Sequence, residues 1–366
     1  MPGSSWPFYA KFSFNLLTVF LLGTLIFLGQ DILTPLGFAV ILAFLLLPFS
    51  NWLERQKVPQ VAAMLLSIFV AILFIAAVVY FFSTQIAEFT DDLPKIKRNL
   101  NRHITTVHNW VRENFNITRR EQEEAVQSAT EDMKTTGPGM LGTTFITAAS
   151  VLILVVLLPI YTFLIMYYRD LIRNFFISIF AEHHRSSVEE VLRESRVIVQ
   201  SYMVGLLIET AIVAALNAAG FLIIGIDYVI LLAVLAAILN MIPYVGMLIA
   251  TVICMMVTLA NASDISDIIW VGVVLTVVQF IDNNLLMPYI VSSKVKINAL
   301  VSIVGVLVGG ALAGIPGMFL SIPGIAILKS IFDRVDGLQP WGMLLGDNRT
   351  IVKPRIRERL KRVKTK

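Results

Sequence analysis

Two apolar stretches in the C-terminal half of this chain, Tyr228–Leu259 and Ala299–Ile331, have lengths that fit no simple membrane crossing. At about 32 residues each exceeds the roughly 20 that span a bilayer, and half of one, about 15, falls short. Each is broken near its middle by a proline with glycine close by, in Ile242-Pro243-Tyr244-Val245-Gly246 and in Gly314-Ile315-Pro316-Gly317. Proline lacks a backbone N–H and clashes with the preceding turn, so an uninterrupted helix is excluded. Two folds remain: a kinked, tilted span, or a helical hairpin with the proline at its tip.

The rest of the chain has the composition of a membrane protein. It is 57% hydrophobic and 15% charged, with a mean hydropathy of +0.79. Soluble domains lie nearer one half apolar and one quarter charged. Apolar runs at Phe12–Gly29, Ile32–Phe49, Val58–Ser83, Leu141–Tyr168, Val197–Gly225 and Ile268–Ile290 read as spans. The first is too long for a signal-peptide core and lacks a small-residue cleavage site, which makes it a retained anchor. Between the third and fourth runs, residues 84–139 carry nine acidic and eight basic residues. This insert reads as helical in two pieces, Ile96–Phe115 and Arg119–Met133. The organisation expected is three spans in 1–83, an extracytoplasmic helical insert in 84–140, a fourth span and amphipathic surface helix in 141–196, a core holding the broken stretches in 197–335, and a basic tail in 336–366.

Lys11, Arg55, Lys57, five basic residues in 169–196 and the tail fall on one side if the first four runs are simple spans. The positive-inside rule then makes both termini cytoplasmic. The expected fold is an all-α polytopic membrane protein with six transmembrane helices plus two re-entrant helical hairpins; kinked spans would give eight crossings instead. Hairpins move Lys294 and Lys296 to the basic side, which favours them. An internal offset points the same way: placing Pro243 over Pro316, 73 residues on, also places Glu209 over Asp282. Each half reads as a carboxylate-bearing span followed 34 residues later by a broken-helix proline, and hairpins would make the two halves an inverted repeat.

Ionisable groups inside spans are costly and mark function by default. Gln279, Asp282 and Asn283 stand at i, i+3 and i+4, with Asn284 beside them; Glu209 and Asn217 are the candidates on the preceding span. Asn240 lies one turn before Pro243. At Pro243, and at Gly314, Pro316 and Gly317, interrupted ladders free backbone carbonyls, which together with half-helix ends can hold a polar solute or ion. Asp282 and Glu209 can pair, bind a proton or coordinate a cation. Gly305, Gly309, Gly310 and Gly314 have small-residue spacing that suits close helix packing. Cys254 is the single cysteine, which excludes an intrachain disulfide and reads as a buried thiol. His103, His108, His183 and His184 lack companions at metal-ligand spacing. No phosphate-binding loop or hydrolase motif is present, so no catalytic residue, metal or cofactor is expected. The basic tail suits anionic lipid better than nucleic acid.

Three motifs in order, Asn240-Met241-Ile242-Pro243-Tyr244-Val245-Gly246, Gln279-Phe280-Ile281-Asp282-Asn283-Asn284 with Pro288, and Gly309-Gly310 through Gly314-Ile315-Pro316-Gly317 to Pro323, resemble those of the autoinducer-2 exporter family, the PerM-like permeases. The resemblance covers nearly the whole chain. It implies a bacterial inner-membrane, homo-oligomeric, ATP-independent transporter; the function expected is export of a small polar solute such as autoinducer-2, with or without ion coupling, and exchange of sodium or lithium for protons is the alternative within the family. A passive channel and a non-transporting membrane scaffold are the competing readings. The partners expected are the lipid bilayer and a small polar solute, H+ or Na+.

Overall fold

A computed structural model describes residues 7–91, 155–243, 245–261, 266–291, 297–335 and 337–347. The insert beyond Asp91, its histidines, Lys294, Lys296 and the basic tail from 348 onward lie outside the described residues. The described chain is helical: α1 (Phe8–Leu28), α2 (Gln30–Arg55), α3 (Gln60–Asp91), α4 (Val155–Tyr167), α5 (Arg169–Ile179), α6 (Glu182–Ile224), α7 (Val229–Asn240), α8 (Val245–Asn261), α9 (Ser266–Ile281, continued by π-helical turns over Asp282–Val291), α10 (Ala299–Arg334) and α11 (Gln339–Leu345). It is an all-α polytopic membrane protein. Large apolar side chains such as Phe20, Phe74, Leu222 and Phe280 are exposed on its surface, as lipid-facing residues must be.

Helix α6 is the axis of the fold. Its 43 residues contain no proline, and they run on until Gly225, whose left-handed φ of 80° ends the helix. At 1.5 Å per residue it is about 65 Å long, roughly twice the hydrocarbon thickness. The surface segment expected over 169–196 therefore divides. Its first part is α5, bent 64° from α4. Its second part, from Glu182, continues into the span, because nothing between Glu182 and Gly225 breaks the backbone ladder.

Both broken stretches are helical hairpins. In the first, α7 and α8 pack antiparallel, with Leu232, Ala233 and Ala236 against Ala250 and Cys254. The Cys254 thiol lies 3.8 Å from the Leu232 carbonyl oxygen, as a buried structural thiol. Around Pro243 the ladder is replaced by short bonds: Ile242 N–H donates to Leu239 O at 2.9 Å and Val245 N–H to Pro243 O at 2.8 Å. Gly246 follows because a Cβ there would overlap the Leu239 carbonyl. In the second, α10 is long and apolar enough for one span but folds back on itself at Ala313 and Gly314. Gly314, at φ 60° and ψ −148°, occupies a region open to glycine almost alone. Gly305 meets Ile325 and Gly309 meets both Gly317 and Ser321 across the fold. In a straight helix Gly305 and Ile325 would stand about 30 Å apart. The glycines do serve close packing, and their partner is the other arm of the same hairpin.

The hairpins approach α6 from opposite ends. The open end of the first, at Tyr228 and Val229, packs with Phe221 and Ile224, near the C-terminus of α6. The open end of the second is tied to the N-terminal part of α6: Arg334 is 3.6 Å from Glu190 and also pairs with Glu194, which accepts from Ser330. Ile41, Val199, Tyr202, Met203 and Ala326 form the core between α2, α6 and the second hairpin, with Phe38 stacked on Phe319 at 5.5 Å. The fold-back is open to a direct check. With Cys254→Ser as background, the pair Gly305→Cys and Ile325→Cys is expected to oxidise to an intramolecular disulfide that blocks maleimide-polymer labelling until reduced; a straight helix would leave both thiols reactive.

Candidate functional site

Three segments converge where the first hairpin ends. Helix α6 brings Glu209, at 6% exposure, and α9 brings Asp282, at 2%. Their carboxyl groups lie within hydrogen-bonding reach of each other. The tip of α7 brings Asn240, whose Nδ2 donates to Asp282 Oδ2 at 2.9 Å. Glu209 Oε2 and Asp282 Oδ1 are buried with no partner among the described residues. Leaving such an oxygen unsatisfied costs about 1–3 kcal/mol, more where it carries charge. A bound proton, cation or polar solute would offset that cost.

Asp282 is the buried member of its polar run. From this residue α9 widens into π-helical turns through Val291, with Pro288 inside them. A π-turn inserts extra backbone per turn and rotates the residues after it relative to an α-helical wheel. Asn283 and Asn284 stand exposed. Asn283 accepts from Gln279 Nε2 at 3.1 Å, and Asn284 donates to Phe280 O at 2.8 Å. These two amides serve their own helix. Gln279 and Asn283 do share a face, as their i, i+4 spacing implies, and Asp282 is the one of the three that is buried.

Asn217 and Gln279 do face the hairpin. With Val213, Asn240, Met247 and Thr251 they line a crevice of about 10 Å³ next to the carboxyl pair. That space is on the scale of a single water site. Asn217 is 2% exposed, and its Oδ1 is buried without a partner among the described residues. Pro243 sits half-buried at the hairpin tip. The other set of broken-helix candidates is elsewhere: Gly314 and Pro316 are exposed at the second tip, and Gly317 is buried against Gly309. None of these three joins the carboxyl pair.

Sequence reasoning missed Thr251 and Thr258. Both belong to α8, seven residues apart, and both have a buried hydroxyl oxygen with no partner among the described residues. Seven-residue spacing puts them on one helix face, which is the signal the sequence offered, and of the two Thr251 lines the crevice.

Broken hairpins entering from opposite ends of a shared axis, one of them joined to buried carboxyl groups, fit a membrane transporter. The chain belongs to the family described as AI-2E family transporter, which matches residues 14–337. Relatives whose names propose a transport role include YrrI of Bacillus subtilis, 24% identical over 313 residues covering 82% of this chain and 85% of that protein. Another is YhhT of Escherichia coli K12, 25% identical over 327 residues covering 88% and 90% respectively. A protein of Mycobacterium tuberculosis is 24% identical over 317 residues, 85% of each chain.

The contact between the two carboxyl groups predicts strong coupling. In a double-mutant cycle of Glu209→Gln and Asp282→Asn, read by thermal unfolding in detergent, the stability effects are expected to deviate from additivity by about 0.5–3 kcal/mol. Additivity within roughly 0.5 kcal/mol would show that the two groups do not interact.

Proposed function

We propose that this transporter works without ATP, as an ion-coupled secondary transporter in which Glu209 and Asp282 together hold a proton or a monovalent cation. The observation that carries this reading is the pair itself. Two carboxyl groups this deeply buried and this close cannot both stand ionised without something positive between them, whether a shared proton or a cation. Asn240 ties the pair to the tip of the first hairpin, so occupancy of the pair and the position of the hairpin act on each other.

In this reading the hairpin α7–α8 is the moving part against α6 and α9. With the pair occupied, Asn240 holds the tip closed. Release of the ion leaves like charges in contact, and their repulsion favours an opened crevice that admits the counter-substrate. Exchange of sodium or lithium against protons fits a site made of two buried carboxyl groups. Export of a small polyhydroxylated solute such as autoinducer-2 is the second reading. Its support is the polar lining of Asn217, Thr251 and Gln279, which supplies donors and acceptors for hydroxyl groups once the hairpin has moved. The cytoplasmic placement of both termini and an extracytoplasmic role for the insert belong to the same proposal, on the strength of the lysine and arginine distribution.

The test is flux in proteoliposomes. Asp282→Asn is expected to abolish gradient-coupled flux while the protein remains monodisperse, because the amide can neither share a proton nor bind a cation with full charge. Undiminished coupled flux in that variant would overturn the role given to the pair. Accumulation of sodium against an imposed proton gradient, set beside counterflow of autoinducer-2, separates the two cargo readings.

A further inference from the structure

A second cleft lies far from the carboxyl pair, where the C-terminal end of α2 meets the N-terminal part of α6. It encloses about 320 Å³ and is lined by Pro48, Asn51, Trp52, Arg55, Arg196 and Gln200. That is roughly ten water volumes, room for a phosphodiester headgroup. Arg55 and Arg196 have no acidic partner among the described residues. Arg169 stands near enough to repel Arg196, and its own charge is shared with Glu54 at 3.9 Å while it donates to Asn51 Oδ1 at 3.3 Å. The cleft therefore gathers positive charge that the described protein leaves uncompensated.

Its surroundings say which kind of anion fits. Trp52 is exposed and stacked on Phe49 at 5.8 Å, and an exposed tryptophan at the end of a span marks the headgroup level of a membrane. Below the cleft the α6 stripe that carries Arg196 and Gln200 continues through Val204 and Leu207, at i+8 and i+11, both exposed and apolar. A polar, cationic head followed along one helix face by an apolar track matches an amphiphile. A soluble anion would have no use for the track.

We propose that this cleft binds the phosphate headgroup of an anionic phospholipid, held by Arg55 and Arg196, with Trp52 at the interface and one acyl chain laid along Val204 and Leu207. Arginine suits the role because its planar fork pairs with phosphate oxygens bidentately.

Native mass spectrometry of the full-length protein in detergent, with phosphatidylglycerol, phosphatidylcholine or inorganic phosphate added, tests the assignment. The expected result is a retained phosphatidylglycerol adduct preferred over phosphatidylcholine by roughly 25-fold, from about fivefold for each arginine beside an anionic headgroup. The double variant Arg55→Ala, Arg196→Ala is expected to lose the preference, and Arg193→Ala, an exposed residue paired with Glu190, to keep it. If the double variant is not monodisperse, Arg196→Gln alone is expected to lower the preference about fivefold. Equal binding of the two lipids, a preference that survives loss of the arginines, or displacement of the adduct by inorganic phosphate at equal concentration would each overturn the proposal.

Discussion

In hydrocarbon no water is available to satisfy a free backbone carbonyl, and this constraint governs the C-terminal half of the molecule. A helix broken at membrane depth can persist only if protein closes around the break. Here that closure is achieved by bringing the two arms of each hairpin into near-backbone contact. Gly246 under the Leu239 carbonyl, and Gly309 against Gly317, are the positions where any side chain would force the arms apart. Close approach replaces the hydrophobic drive that lipid does not supply between helices, leaving dispersion and hydrogen bonds to hold the assembly. The unbroken α6 gives both hairpins a rigid element to pack on.

That arrangement also decides where charge can be tolerated. Glu209 lies on α6 beside the first hairpin, and Asp282 stands buried where α9 passes into π-helical turns. One carboxyl group alone at that depth would be a costly orphan; two, with Asn240 donating to one of them, form under the proposed reading a site for a single positive ligand. The ion pairs of Arg334 with Glu190 and Glu194 lie at the other hairpin's open end, where the long α6 extends past the hydrocarbon. The Arg334 charge is thus compensated within the protein, while the carboxyl pair is left partly uncompensated.

Much of this was legible in the sequence. Stretch length and the positions of Pro243 and Pro316 anticipated the hairpins, because both follow from bilayer thickness and from the chemistry of proline. Glu209, Asp282, Asn217 and Asn240 stood out because polar side chains in apolar runs are few. Asn283 and Asn284 were harder to place, because adjacent residues of any helix point about 100° apart and a run of polar side chains does not say which of them is turned inward. Thr251 and Thr258 were hidden for another reason: a threonine hydroxyl can bond back to its own helix, so its presence in an apolar run carries little information until the burial of the oxygen is known. The 169–196 segment looked like one amphipathic unit because its apolar spacing does not reveal that the chain turns at Phe180 and Ala181.

The 73-residue offset that aligns the two prolines also shows how the halves have diverged. It places Glu209 over Asp282, and the fold brings those two into contact. It also places Asn240 over Ala313. In the first hairpin that position carries an amide that reaches Asp282; in the second it carries a methyl group, at φ −147°, on the turn itself. Ala313 has nothing to offer a carboxyl group, and the neighbouring Gly314 and Pro316 are exposed. Only one hairpin tip is chemically joined to the carboxyl pair. Under the proposed reading, in which Glu209 and Asp282 hold the coupling ion, the pair has one latch and not two, and motion of α7–α8 is the step that occupancy of the pair would control.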